Sequence, residues 1–89
     1  MKRIYKYQLG YDGEVIVIKE KVERILHVGA QNGVPMLWAL VDIEQVGRTE
    51  VVAWGTGWDI ADDLAGYDYV GTAQDERGYV WHYFSLTVA

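Results

Sequence analysis

The sequence predicts an all-β fold, a mainly antiparallel small sandwich or partly open barrel of about seven strands with one short helix near residues 59–65. Three observations predict it. The dipeptide Asn32-Gly33, which accepts the positive φ angles of a tight type I′ turn, stands between two apolar runs of strand length. Apolar and polar residues alternate with period two over residues 3–9 and again over 79–88. The 89 residues have room for one core, so 1–89 is read as a single domain with little stability to spare.

In residues 3–9, Tyr5, Tyr7 and Leu9 share one face and Ile4, Lys6 and Gln8 the other, the period of a half-buried strand. Gly10-Tyr11-Asp12-Gly13 reads as a turn. Residues 14–18 hold four consecutive apolar, β-branched side chains, too few for a helix and typical of a buried strand. Residues 19–23 are charged and read as a connection or a single helical turn. Residues 25–30 and 36–42 form the hairpin about Asn32-Gly33, with Pro35 at a strand start where a missing N–H is tolerated. In its second arm Leu37, Ala39 and Val41 occupy one face and Trp38 and Leu40 the other. Both faces are apolar, which predicts a central strand covered on both sides.

Residues 43–49 contain Gly47 and several polar side chains and read as a loop; residues 50–54 read as a strand ending in Gly55-Thr56-Gly57. From 58 to 65, Ile60, Ala61 and Leu64 follow a helical spacing, with Asp59 as N-cap and Gly66 as stop. Residues 67–72 alternate again. Asp75-Glu76-Arg77-Gly78 is a turn into residues 79–88, where Val80, His82, Phe84 and Leu86 face one way and Tyr79, Trp81, Tyr83 and Ser85 the other.

Composition excludes several classes of protein. Hydrophobic residues make up 51% of the chain, which is the signature of a folded globule and not of a disordered segment. There are no cysteines, so disulfides and thiolate metal sites are excluded. No apolar run approaches a membrane span, and the basic start has no apolar stretch after it, so the chain is expected to be soluble, unexported and cytoplasmic. Residues 1–55 balance seven acids with seven bases, whereas residues 56–89 carry six acids against Arg77 alone. The net charge of −5 therefore sits in the last third and argues against direct nucleic-acid binding. Asp59, Asp62, Asp63, Asp68, Asp75 and Glu76 are a candidate acidic partner surface, weighed against a plain solvated face.

No motif has the spacing of a known catalytic site. Gly55-Thr56-Gly57 lacks the third glycine of a dinucleotide fingerprint and the Lys of a P-loop, so it reads as a sharp turn. His27 and His82 have no ligand-spaced neighbours, and no metal or other cofactor is expected. Asp59, Asp62 and Asp63 at i, i+3 and i+4 could do acid-base chemistry on a helix, but a helix N-terminus favours such acids without any function. The aromatics are different. Four Trp and seven Tyr exceed what one small core can hold, and such rings suit wet interfaces and flat ligands. Trp54, Trp58, Trp81 and Tyr83 with Arg77 and His82 are accordingly the candidate ligand-binding residues. Their surplus, with unpaired strand edges, also predicts a homo-oligomer, a dimer or higher.

The segment Ile25-Leu26-His27-Val28-Gly29, with Gln31-Asn32-Gly33, Pro35 and Leu37-Trp38-Ala39-Leu40-Val41-Asp42, resembles a family of short uncharacterised proteins encoded by bacteriophages and their bacterial hosts. The similarity continues in Gly55-Thr56-Gly57, Asp63-Leu64, Gly66-Tyr67, Tyr69, Gly71-Thr72 and Val80-Trp81-His82 with Phe84. The resemblance implies a phage or prophage accessory protein and carries no catalytic residues with it. The leading expectation is a non-enzymatic binding protein that counteracts a host process such as defence, by sequestering a nucleotide-like ligand or by blocking a host protein. A minor structural or assembly protein of a virion is the alternative, and a small hydrolase using His82 or the Asp59 to Asp63 cluster ranks third.

Overall fold

Asn32 and Gly33 take φ angles of 53° and 78°, the left-handed pair a type I′ turn requires, and the chain reverses there. A Cβ on Gly33 would also come within 2.7 Å of Glu76 Cβ, so both backbone angle and space select glycine. In this computed structural model, which describes residues 1–88, β2 (Val15–Gln31) returns through that turn as β3 (Val34–Gly55), preceded by β1 (Lys2–Gln8) and followed by β4 (Asp68–Gln74) and β5 (Val80–Thr87). All pairings are antiparallel, in one five-stranded sheet.

β3 is its spine. On one side it pairs with β2 from Gln31 opposite Val34 to Val15 opposite Val52. On the other side it pairs first with β1, Gln8 opposite Met36 to Lys2 opposite Asp42, and then with β5, Thr87 opposite Thr49 to Trp81 opposite Gly55. β4 adds to the far edge of β5.

The hairpin bends in its middle. Lys21 and Glu20 are adjacent, yet their partners are Asp42 and Val46, so Ile43, Glu44 and Gln45 bulge out of register. The Asp42 carboxylate fixes the excursion by accepting the Glu44 N–H at 3.0 Å and Gln45 Nε2 at 2.9 Å. Bulges increase local twist and bend. Beyond this one the sheet curls back on itself, and β4 packs on β2 so closely that a methyl on Gly71 would overlap Val28. The result is a curled, partly open barrel with inner faces facing each other. Its shortest dimension, 16 Å, fits two sheet layers roughly 10 Å apart.

Leu37, Ala39, Val41, Val51, Ala53, Ile18, Val28, Trp81 and Tyr83 are buried between the layers. Each large side chain there contributes about 1.5–3 kcal/mol relative to an exposed position. Outward-facing residues differ between the halves. Beyond the bend, the 56–67 segment covers the outer face: Trp54 Nε1 donates to Asp59 O at 3.3 Å and the Tyr67 hydroxyl to Glu50 at 3.0 Å. Before it, Trp38 and Leu40 are only half-buried, so this stretch of β3 is covered on one side and not on both.

Two further expectations are corrected. The seven segments are five strands, because residues 19–23 and 43–49, read as a connection and a loop, lie inside β2 and β3 as bulged strand. No helix forms at 59–65, nor elsewhere among the described residues. Ala65 N–H to Asp62 O and Tyr67 N–H to Leu64 O close turns there instead. Seven residues give too few helical bonds to offset the cost of nucleation, and side-chain ties to the sheet hold the segment in place.

Candidate functional site

The turn between β4 and β5 is organised by one buried carboxylate. Asp75 accepts the N–H groups of Arg77 at 2.9 Å and Tyr79 at 3.1 Å, Trp81 Nε1 at 3.0 Å, and Arg77 Nη2 at 3.1 Å. Burial by itself would raise this carboxyl, but the donors from Trp81, Arg77 and Tyr79 outweigh it and hold it below the ordinary carboxylate range. The turn thereby fixes Arg77, Tyr79 and Trp81 as a unit. The Arg77 guanidinium lies 4.9 Å from the centre of the Tyr79 ring and 5.6 Å from that of Tyr11, a cation held between two rings.

The rings continue as a chain. Trp58 stands 5.5 Å from Trp81 and 5.5 Å from Trp54, nearly perpendicular to each. Tyr11 and Tyr79 flank Trp81 at 6.3 and 6.4 Å. Trp58 approaches because Gly55 has no side chain: a Cβ there would sit 2.5 Å from the indole. Two depressions lie along these rings. One, of about 270 Å³, is lined by Gly55, Thr56, Trp58, Tyr79, Val80 and Trp81. The other, of about 340 Å³, is lined by Tyr11, Asp12, Asp75, Glu76 and Arg77.

Of the residues singled out in the sequence, Trp54, Trp58, Trp81 and Arg77 therefore come together. Tyr83 lies apart: it is wholly buried, its hydroxyl donates to Gly10 O at 2.9 Å, and burial pushes its pKa well up. His82 points to the opposite side of β5 from Trp81, where Nε2 meets Thr56 Oγ1 at 2.6 Å and Nδ1 meets Thr72 Oγ1 at 3.0 Å. Asp59, Asp62, Asp63, Asp68 and Glu76 are exposed, while Asp75 is buried and belongs to the turn. Tyr11 and Asp12, read only as turn residues, line the second depression; their signal was a second aromatic-bearing turn whose place beside the first depends on the fold.

Among the described residues no three histidines or carboxylates converge as a metal site. Arg77 is taken by Asp75, and Asp12 and Glu76 share its depression, so the lining of that depression is net negative. Residues 1–89 match the profile of a family described as a domain of unknown function, DUF7352. No curated protein and no solved structure matches the chain.

Proposed function

The chain belongs to that family of unknown function, and from this premise we propose that it is a non-enzymatic binding protein whose aromatic cleft receives a basic side chain of a partner protein. The observation that carries the reading is Arg77, a guanidinium already seated between the rings of Tyr11 and Tyr79. Asp12 and Glu76 supply negative charge in the same depression, and Trp58, joined to Tyr11 and Tyr79 through Trp81, offers a ring 41% exposed to solvent in the other. An arginine or lysine of a partner meets both attractions. Phosphate meets neither, since the cation that would pair with it is neutralised by Asp75, and this favours a protein target over a nucleotide-like ligand. The resemblance to phage-encoded proteins supports a host protein as that target, blocked in the bacterial cytoplasm by occupancy alone.

Titration of the protein with an arginine-rich peptide, followed by tryptophan fluorescence, tests this. Saturable quenching is expected, weakened about 5- to 30-fold by Trp58→Ala, the loss of roughly 1–2 kcal/mol of cation–π attraction. Tighter binding of ATP than of the peptide overturns the reading.

A further inference from the structure

We propose that copies of this chain associate head to tail, the acidic loop at residues 59–63 of one copy seating on the bare outer face of β1, β3 and β2 of the next. The bare face is apolar at its centre and basic at its rim. Ile4 is 62% exposed and Leu26 44%, with Trp38 and Leu40 half-buried between them. Lys2, Lys6 and Arg24 stand around them, opposite Asp42, Trp38 and Leu40 in the sheet. None of the three has a carboxylate within ion-pair distance among the described residues, and Glu23, the acid beside Arg24, is taken by Lys21.

The loop is the complement of that face. Between Arg48 and Arg77 the chain has no lysine or arginine. Asp59, Asp62 and Asp63 are exposed and equally without ion-pair partners, and Ile60 protrudes among them, 58% exposed. An apolar knob ringed by acids thus matches an apolar floor ringed by bases. Within each copy the 56–67 segment already covers the outer face of the other half of the sheet, through Trp54 and Glu50.

Geometry decides the symmetry. The two layers enclose one core, so the bare face and the loop lie on opposite outer sides of the 16 Å slab. One copy can therefore use both surfaces only with two different neighbours, which makes the contact heterologous and its product a ring or a chain. Stacking two bare faces would instead set Lys2, Lys6 and Arg24 against their own kind. An anionic lipid surface would have to attract a molecule of net charge −5.

Charge swapping tests this on the whole chain, with circular dichroism checking that each variant is folded. The wild-type mass by sedimentation equilibrium should rise with protein concentration and fall back toward that of one chain at about 1 M salt, where screening acts over roughly 3 Å. A variant carrying Asp59→Lys, Asp62→Lys and Asp63→Lys, and another carrying Lys2→Glu, Lys6→Glu and Arg24→Glu, should each remain monomeric. Their equimolar mixture should assemble again, each loop meeting a face of opposite sign. A wild type that stays monomeric, association of either variant alone at wild-type strength, or a mixture that fails to assemble overturns the proposal. So does a monomer that binds phosphatidylglycerol vesicles through Lys2, Lys6 and Arg24, which would assign the face to lipid.

Discussion

Asp75 is the residue on which the turn, the cation between the rings and the buried Trp81 all converge. Its carboxyl is held lower in the folded chain than the usual unfolded value near 3.9, so its contribution to stability is present above about pH 4 and is lost as pH falls through the folded value. Urea midpoints measured down to pH 2 should decline steeply for the wild type and more gently for Asp75→Asn, which should already be the less stable at pH 7. Tyr83→Phe removes a single hydroxyl from the core and leaves the Gly10 carbonyl without its donor. The expected cost is about 1 kcal/mol at unchanged denaturant slope, measured by urea unfolding. Residue facing was half legible here: the period-two pattern of residues 79–88 divides Trp81, Tyr83 and Ser85 from His82, Phe84 and Leu86, and the structure shows that the first set is the buried one. The same pattern separates His82 from Trp81. His82 therefore turns to Thr56 and Thr72 while Trp81 turns to Asp75, and the two cannot share one ligand site.

Between elements, the decisive contacts are close approaches of backbone. β4 reaches β2 only because Gly71 is bare, and a methyl there would strike Val28. Gly71→Ala should therefore destabilise by about 1–3 kcal/mol through overpacking, seen as a lowered thermal midpoint, and should loosen the closure of the barrel. Gly33→Ala combines a left-handed φ of 78° with the approach of Glu76, so a cost of at least about 1–2 kcal/mol is expected in the same measurement. The turn at Asn32-Gly33 could be read in advance because its chemistry is wholly local. Strand continuity could not. A bulge shifts the period by a residue and places charged side chains where alternation expects apolar ones, so residues 19–23 and 43–49 look like breaks in a chain that is still paired. The helix expected at 59–65 does not form for the complementary reason: a helical spacing over so few residues is outweighed by the tie of Asp59 to Trp54, and of Tyr67 just beyond to Glu50, which only the fold supplies.

At the scale of the molecule, sequence order and spatial order part company. β1 and β5 bracket the chain yet lie on the same side of β3, end to end along it. Pairing segments so distant in sequence makes folding slow for the size: refolding from urea, followed by stopped-flow tryptophan fluorescence, should take milliseconds to seconds and not microseconds. The cleft was only partly visible in the sequence for the same reason. Trp58, Trp81 and Arg77 could be singled out as surplus ring and lone base, but Tyr11 and Asp12 join them through a meeting of two turns that no local pattern records. A further consequence follows from the shared central strand. Residues 36–42 and 49–52 of β3 are each flanked on both sides, by β2 with β1 and by β2 with β5, so neither half owns a framework that could persist without the other. Amide protons at Val41 and Val51 should then trade for deuterium at one common rate, and a protease cut beside Gly47 should abolish both halves together, leaving no smaller surviving fragment.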